Sequence, residues 1–223
     1  MKYPILILGA SSAIGNAINN NLKKKGMSTI TLGRADSNDL IFDISKKTHI
    51  NLSTKISGFV NCIGVNKNSF QKLNHFDRDS EIIKVNLINV LLFFYSIENK
   101  FVENSSVVHI GSLANQMLFK DDAAYMISKT GLSGMSKAIA ARLSVIKGRS
   151  NIINPSYVRT PMTENSFGND IEREKRNSRH LRKKWANVED ISDIVHFLLS
   201  SKSKFINCEE INIDDGWTIN SLL

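Results

Sequence analysis

Short apolar runs alternate along this chain with longer segments whose apolar residues recur at helical spacing. A strand covered on both faces is apolar throughout, whereas a helix shows one apolar stripe, so the alternation predicts a doubly wound parallel α/β sheet of about seven strands. The predicted strands are Tyr3–Leu8, Ser28–Leu32, Leu40–Phe42, Gly58–Ile63, Ser106–Ile110, Asn151–Ile153 and Glu210–Ile213. The predicted helices are Asn16–Lys25, Asp77–Val85, Ile88–Glu103, Ala123–Lys147 and Glu189–Ser200.

Composition supports a folded globular chain. Hydrophobic residues make up 42% of the sequence and prolines number only three, which excludes a disordered or low-complexity architecture. The longest apolar run, around 90–94, is far shorter than the roughly 20 residues of a membrane-spanning helix, and the N-terminus lacks the pattern of a secretory signal. Cys62 and Cys208 have neither metal-ligand nor disulfide spacing. We therefore expect a cytoplasmic protein with no membrane partner and no bound metal.

A glycine-bearing turn, Gly9–Gly15, follows the first predicted strand and precedes a helical segment. Backbone N–H groups in such a turn can approach a pyrophosphate at the positive end of the helix. An ordinary tight turn has the same spacing, so this segment alone leaves both interpretations open.

The second predicted strand ends at Gly33 and Arg34. A carboxylate at this position would bind the adenosine ribose hydroxyls of NAD, whereas a guanidinium suits the 2′-phosphate of NADP. The sequence therefore favours NADP(H) over NAD(H), with an exposed loop arginine as the alternative. Asp43, just after the third strand, is placed either to meet the adenine or to cap the next segment.

Tyr125 and Lys129 have the spacing of two residues on one helix face. An ammonium held there favours the phenolate and would lower a tyrosine pKa that starts near 10. Ser112 follows the fifth predicted strand, at the edge where ligand sites of α/β sheets gather, and Asn86 stands on the preceding helix. Taken alone, the pair could equally be a partly buried tyrosine beside a surface lysine.

In combination these motifs resemble those of the short-chain dehydrogenases/reductases, over nearly the whole chain. The turn with Gly9 and Gly15 is similar to the family's TGxxxGxG, Asn61–Gly64 resembles its NNAG, and residues 154–162 resemble its PG-x-x-x-T segment. The family's catalytic tetrad is matched in order and approximate spacing by Asn86, Ser112, Tyr125 and Lys129. The resemblance is strongest to β-ketoacyl-[acyl carrier protein] reductases and implies one Rossmann-type NAD(P)-binding domain across residues 1–223.

The resemblance also implies a role for each matched residue. Tyr125 would exchange a proton with the carbonyl or alcohol oxygen, Lys129 would bind the nicotinamide ribose and lower the pKa of Tyr125, and Ser112 would orient the reacting oxygen. Asn86 would help to hold a water that links Lys129 to solvent. The cofactor-binding residues would be Gly9, Ala10, Ser11, Ser12, Ile14, Gly15, Arg34, Asp43, Ile44, Asn61, Gly64, Tyr125, Lys129, Val158 and Thr160.

Half of the net charge of +8 lies between residues 167 and 187, where seven basic residues face three acidic ones. The family has a substrate lid at this position, so we expect residues 163–186 to form one. A basic lid would suit an anionic or carrier-bound substrate, and a solvated, salt-bridged helix face is the alternative. Nucleic-acid binding would need interleaved aromatic residues. Only Phe167 and Trp185 flank the run, so we expect no nucleic-acid partner.

The sequence thus predicts an NADP(H)-dependent oxidoreductase that interconverts a small-molecule carbonyl and an alcohol, with Tyr125 as general acid and base. Two alternatives stay open: an enzyme acting on a sugar, nucleotide sugar or polyol, and a non-catalytic NADP-binding sensor or scaffold. The family resemblance further implies a homodimer or homotetramer assembled through the helices that carry Asn86 and Tyr125.

Overall fold

The computed structural model describes residues 2–117 and 122–220, with only the backbone of Asn165. Its strands are β1 (Ile5–Leu8), β2 (Thr29–Gly33), β3 (Leu40–Ile41), β4 (Ile56–Asn61), β5 (Phe101–Ile110), β6 (Arg149–Pro155) and β7 (Glu210–Ile213). Within the described residues they form one seven-stranded sheet in the order β3-β2-β1-β4-β5-β6-β7, and every pairing is parallel. The predicted doubly wound α/β architecture is confirmed.

Helices cover both faces of this sheet. The helices are α1 (Ala13–Lys24), α2 (His75–Ile83), α3 (Asn89–Ile97), α4 (Ala123–Leu143), α5 (Glu164–Phe167), α6 (Asp170–Asn177) and α7 (Val188–Leu199). Buried side chains of α3 and α4 belong to one hydrophobic core, and those of α1 and α7 belong to another. The sheet therefore separates two apolar layers, as expected for strands that are apolar throughout.

Strand β1 shows why the sequence pattern has no polar alternation. Leu6 and Leu8 enter the core under α3 and α4, while Ile5 and Ile7 enter the core under α1 and α7. Successive side chains of a strand point to opposite faces, so all four are buried. Each contributes roughly 1.5–3 kcal/mol by leaving water.

The strand order reverses between β1 and β4. The chain first adds β2 and β3 on one side of β1 and then crosses to place β4 on the other side. Connections leaving β1 and β4 therefore diverge to opposite faces, which opens a crevice at the carboxyl ends of the strands. This reversal fixes where a ligand can bind.

The prediction of a helix over Ile88–Glu103 is wrong at its end. Helix α3 stops at Ile97, a 3₁₀ turn follows, and β5 already begins at Phe101. The cause is the continuing apolar pattern: Phe101 packs on Phe94 with ring centroids 5.8 Å apart. Periodicity alone cannot separate a helix that ends in the core from a strand that begins there.

The helical run His75–Lys100 is continuous for 26 residues and is apolar enough to cross a membrane by length and composition, which the sequence did not predict. Within it, Val90, Phe93, Phe94 and Ile97 are fully buried in the hydrophobic core. Buried core helices of water-soluble proteins have the same length and composition.

Residues 163–186, the predicted lid, form two short helices, α5 and α6, followed by turns. The segment ends at Ala186, which forms an isolated β-bridge with Val158, shortly after β6. Trp185 is buried there. The segment is thus an excursion that leaves after β6 and is anchored at both ends.

Candidate active site

A cleft of about 550 Å³ opens at the carboxyl end of the sheet. Its wall consists of residues that follow β1, β4, β5 and β6, together with the start of α4 and part of the 163–186 segment. This volume lies in the usual range of cofactor and small-molecule sites. The sequence-predicted residues that line it are Ser11, Ser12, Ile14, Gly64, Ser112, Tyr125, Lys129, Val158 and Thr160.

Helix α1 begins at this cleft. Ser12 caps it: Ser12 Oγ accepts a hydrogen bond from Gly15 N at 3.0 Å and donates one to Gly9 O at 2.8 Å. The N–H groups of Ala13 and Ile14, which both line the cleft, have no partner among the hydrogen bonds of the described residues. Unpaired N–H groups at a helix start attract anions, so the turn fits the pyrophosphate of a dinucleotide.

The two glycines of the turn are required by its geometry. Gly9 has a φ of +84°, a conformation that side-chain-bearing residues rarely adopt. A Cβ on Gly15 would collide with the carbonyl oxygen of Gly9. These constraints hold for the turn itself, which is why the sequence spacing could not distinguish a phosphate-binding turn from an ordinary one.

The tip of β2 lies beside this turn. Ser11 Oγ accepts hydrogen bonds from Ala35 N at 3.2 Å and from Asn38 Nδ2 at 2.9 Å, which joins the two loops. Arg34 is exposed and lies outside the cleft wall. Its guanidinium has neither a hydrogen bond nor a salt bridge within residues 2–117 and 122–220, so it is available to a group bound at the tip.

Asp43 and Ile44 also lie outside the cleft wall. Asp43 Oδ1 accepts hydrogen bonds from Ser45 N at 3.0 Å and Ser45 Oγ at 2.7 Å. Burial acts to raise the pKa of Asp43, but these hydrogen bonds and the nearby charges of Arg34 and Lys46 outweigh it and lower the pKa. Ile44 is buried. The contacts of Asp43 match the alternative prediction, in which its carboxylate caps the segment that follows it.

Lys129 is buried at the floor of the cleft. Its Nζ donates hydrogen bonds to Ile63 O at 3.1 Å and Ile110 O at 2.9 Å, at the ends of β4 and β5. Burial lowers the pKa of Lys129 from 10.5 to about 8. The two carbonyl groups thus hold an ammonium at the meeting point of the strands.

Tyr125 and Ser112 meet across the cleft. The Lys129 Nζ lies 5.7 Å from the centre of the Tyr125 ring. Burial raises the pKa of Tyr125, a hydrogen bond with Ser112 opposes that rise, and the charge of Asp122 adds to it. Burial is the largest of these effects and Lys129 is not among them, so the predicted lowering of this pKa by Lys129 is not observed.

Asn86 lies in a π-helical turn, Lys84–Ile88, between α2 and α3. Its side chain pairs with the backbone of Val65 twice at 2.8 Å, accepting from the N–H and donating to the carbonyl. Asn86 Nδ2 also donates to Ser128 Oγ at 3.0 Å, and Ser128 Oγ donates to Tyr125 O at 2.8 Å. Asn86 is fully buried, so in this structure it connects the loop after β4 to the helix that carries Tyr125.

Four of the predicted cofactor-binding residues lie outside the cleft wall: Gly9, Ala10, Gly15 and Asn61. Asn61 is fully buried, and its Oδ1 accepts from Ile63 N at 3.1 Å. Its Nδ2 lies 3.3 Å from His109 Nδ1. His109 is fully buried, and its Nε2 has no partner in the described part of the chain.

Sequence reasoning assigned no role to Asn154, which positions Ser112. Asn154 Oδ1 accepts a hydrogen bond from Ser112 N at 3.2 Å, and Asn154 is fully buried. Its Nδ2 lies 3.5 Å from Glu210 Oε2 and from Asn212 Oδ1 in β7. The only sequence signal was a polar residue at the end of an apolar strand, where a buried polar side chain needs a partner.

The basic residues of the 163–186 segment are largely engaged. Arg173 pairs with Asp170 at 2.6 Å and Arg182 pairs with Asp215 at 2.6 Å. The Arg179 guanidinium stacks 4.8 Å from the centre of the Trp217 ring. The salt-bridged alternative thus describes Arg173 and Arg182. Arg176 is also paired, with Glu172, and it lines the cleft, which the sequence did not indicate.

Comparison with known proteins agrees with this geometry. The family model described as enoyl-(acyl carrier protein) reductase matches residues 9–218. The 3-oxoacyl-[acyl-carrier-protein] reductase of Buchnera aphidicola subsp. Schizaphis graminum is 25% identical over 216 residues, which are 95% of this chain and 86% of that protein. L-xylulose reductase of Caenorhabditis elegans is 24% identical over 97% of this chain and 96% of its own length. A solved structure from Agrobacterium tumefaciens with bound NADP has a TM-score of 0.88 at 21% identity, covering 98% of this chain and 97% of that one.

A parallel sheet with its cleft at the strand reversal defines the protein as a nucleotide-binding α/β oxidoreductase. More particularly, the chain belongs to the short-chain dehydrogenase/reductase family, whose members bind NAD(P) and act on small molecules. Among the described residues no cluster of three or more His, Cys, Asp or Glu could hold a metal ion.

Proposed function

We propose that this enzyme interconverts a carbonyl compound and an alcohol with NADP(H), using Tyr125 as general acid and base. One observation carries the proposal: Tyr125 and Ser112 share a single cleft with Lys129 and with the unpaired N–H groups that begin α1. A dinucleotide with its pyrophosphate at α1 would extend along this cleft toward Tyr125.

The proton chemistry follows from the place of the Tyr125 hydroxyl in the cleft beside Ser112. In reduction, a neutral phenol donates its proton to the carbonyl oxygen as negative charge develops there. Ser112 holds that oxygen by a hydrogen bond, and Asn154 fixes Ser112 through its backbone N–H. The bound nicotinamide supplies or accepts the hydride. In the reverse direction, the same tyrosine removes the proton from the alcohol.

Lys129 and Asn86 have supporting roles in this proposal. Two backbone carbonyls hold the Lys129 ammonium in place, and its remaining donor is free to bind the ribose hydroxyls beside the nicotinamide. Asn86 braces the loop after β4 against α4. Holding reacting groups in one geometry removes much of the entropic part of a barrier.

We propose NADP(H) as the preferred cofactor on the basis of Arg34. This side chain is the charged group at the end of β2, it is exposed, and the turn that carries Ser11 lies next to it. A planar guanidinium matches a phosphate dianion better than a ribose hydroxyl. The NADP bound in the Agrobacterium tumefaciens structure supports this choice.

For the substrate we propose a 3-oxoacyl group or a related small carbonyl compound. A sugar or polyol is the second candidate, because Asn66, Asn68, Ser156 and Thr163 line the cleft with amide and hydroxyl groups that can bind several hydroxyls. We also propose that the enzyme acts in the cytoplasm, as its two free cysteines suggest.

Tyr125→Phe tests the catalytic role. The substitution removes one oxygen and keeps the ring, so we expect turnover to fall by at least ~10²-fold while the Kd for NADPH stays nearly unchanged. Oxidation of NADPH with a panel of acyl-thioester, sugar and diketone carbonyls gives the rate, and NADPH fluorescence gives the Kd. Full turnover in Tyr125→Phe would sink the mechanism. Absence of turnover by the unaltered enzyme with every carbonyl and alcohol would favour the sensor alternative.

A further inference from the structure

A guanidinium with one unpaired nitrogen adjoins the cleft. Arg176 lies in α6 and contributes to the cleft wall. Its Nη1 is buried and has no hydrogen-bond partner within the described residues. The ion pair of Arg176 runs from Nη2 to Glu172 Oε2 at 3.2 Å, and the Glu172 side chain is 45% exposed. The paired carboxylate therefore sits at the surface, while the inner nitrogen has no acceptor.

Aromatic rings, not hydrogen bonds, hold this guanidinium in place. Its centre lies 4.6 Å from the centre of the Tyr157 ring and 6.0 Å from that of Trp185. The two rings are themselves 5.1 Å apart. Trp185 Nε1 is a second buried donor without a partner in the described part of the chain. Of these two residues only Arg176 lines the described cleft wall, and a buried donor without an acceptor calls for a partner.

The charges around the cleft leave Arg176 for a ligand. The described cleft wall contains two cationic side chains, Lys129 and Arg176, and one carboxylate, Asp122. Lys129 already donates to two backbone carbonyls. Of these two cations, Arg176 is therefore the one with a buried nitrogen, Nη1, that makes no hydrogen bond within the described residues.

We propose that Arg176 forms an anion subsite that binds a carboxylate or phosphate group of the substrate. This inference rests on the proposed function, because the same substrate would present its carbonyl to Tyr125. The substrate anion would displace the Glu172 carboxylate from the Arg176 guanidinium. A guanidinium can bind one planar oxyanion by two parallel hydrogen bonds. From the sequence, binding of an anionic substrate was expected of the whole 163–186 segment. The structure points to one arginine of that segment, Arg176.

The test compares the unaltered enzyme with Arg176→Met on two matched substrate pairs. One pair is an oxo carboxylic acid and its methyl ester, and the other is a phosphorylated hydroxy ketone and its unphosphorylated form. We expect kcat/KM for the anionic member to fall by roughly 10- to 100-fold, as for loss of a charge-assisted hydrogen bond. The neutral member should be nearly unaffected, which also shows that the variant is folded. The pair that shows the loss identifies carboxylate or phosphate as the anion.

Two further variants make the comparison specific. Lys175→Met removes the same charge from the exposed neighbouring residue of α6 and should leave the ratio of acid to ester unchanged. Arg176→Lys keeps the charge without the planar fork and should recover part of the preference. An equal ratio in Arg176→Met and Lys175→Met would overturn the anion subsite.

Binding measurements separate this inference from the proposed function. Tryptophan fluorescence reports ligand binding beside Trp185 and needs no turnover, so we would titrate each anionic compound into Tyr125→Phe with and without Arg176→Met. Weaker anion binding in the double variant, with no turnover by the unaltered enzyme, would retain the subsite and reject the oxidoreductase proposal. Turnover without any anion preference would do the reverse. An equal loss of NADPH affinity in Arg176→Met would assign the residue to the cofactor and overturn the inference.

Discussion

The proposed preference for NADP(H) depends on a single side chain, Arg34. It lies at the end of β2, exposed and without an ion pair in the described structure. We expect Arg34→Ala to weaken NADPH binding by roughly 1.5–3 kcal/mol, the cost of one lost charged hydrogen bond, and to leave NADH binding nearly unchanged. Fluorescence titration with both cofactors measures the difference. An equal loss for both would remove Arg34 from cofactor selection.

His109 couples stability to acid. Burial, assisted by the charge of Lys129, lowers its pKa from 6.5 to about 3. Between these values the unfolded chain binds a proton that the folded chain does not, so the free energy of unfolding falls as pH drops below 6.5. At pH 5 this amounts to about 2 kcal/mol. The full contribution is present above pH 6.5 and is lost progressively toward pH 3.

His109→Gln should remove this dependence, because Gln can accept the same hydrogen bond from Asn61 and does not titrate. We expect the unaltered protein to lose about 2 kcal/mol more than the variant between pH 7 and pH 5, measured by urea unfolding at both pH values. Parallel losses in the two proteins would mean that His109 is not the group responsible.

At the same scale, the sequence predicted which side chains meet but not their protonation. The i, i+4 spacing of Tyr125 and Lys129 brought both to the cleft. The direction of the Tyr125 pKa is set first by burial, and the Lys129 ammonium is held by the carbonyls of Ile63 and Ile110. Burial and these strand-end contacts come from parts of the chain distant in sequence, so local spacing carries no information about them.

At the scale of elements, the strands were predicted best. Strand β7 was predicted with its observed bounds, and β1 and β2 differ by no more than two residues at either end. Apolar runs in a sheet covered on both faces have abrupt polar ends, which makes them readable. Strand β5 was the exception, because its first half continues the apolar pattern of α3.

Two irregular elements carry information that the sequence could not supply. The π-helical turn at Lys84–Ile88 appears in the sequence as part of ordinary helices, since one extra residue in a turn does not disturb the apolar stripe visibly. The 163–186 segment was readable only as charged, because its order comes from rings contributed by other parts of the chain, Tyr157 and Trp217 among them. Its closure over the cleft stays a prediction.

At the scale of the whole molecule, an apolar surface remains open on the side of α3 and α4. Ile88, Leu92 and Tyr95 follow one face of a helical run and are 46–48% exposed, and Ile127 in α4 is 56% exposed. Grouped exposed apolar side chains mark interaction sites. We propose that this surface joins two copies of the chain, as the family resemblance implies.

Leu92→Glu tests that assembly. A carboxylate placed in an apolar interface would be buried without a partner, so we expect the variant to run as a monomer under conditions in which the unaltered protein runs as a dimer or tetramer. Phe205→Glu, at a fully exposed residue in the loop before β7, is the matched control and should keep the unaltered mass. Light scattering coupled to size exclusion measures both. A monomeric unaltered protein at micromolar concentration would overturn the proposal.

The hydroxyl of Ser11 has a consequence for how such an enzyme could change. It ties the turn at the start of α1 to the loop that follows Arg34, through Ala35 N and Asn38 Nδ2. The proposed binding of the pyrophosphate and the proposed discrimination between NADP(H) and NAD(H) would therefore depend on two loops that are joined to each other. A redesign toward the other cofactor would have to change both loops together. A change in the loop after Arg34 alone would remove contacts that hold Ser11, and with it the turn proposed to bind the pyrophosphate.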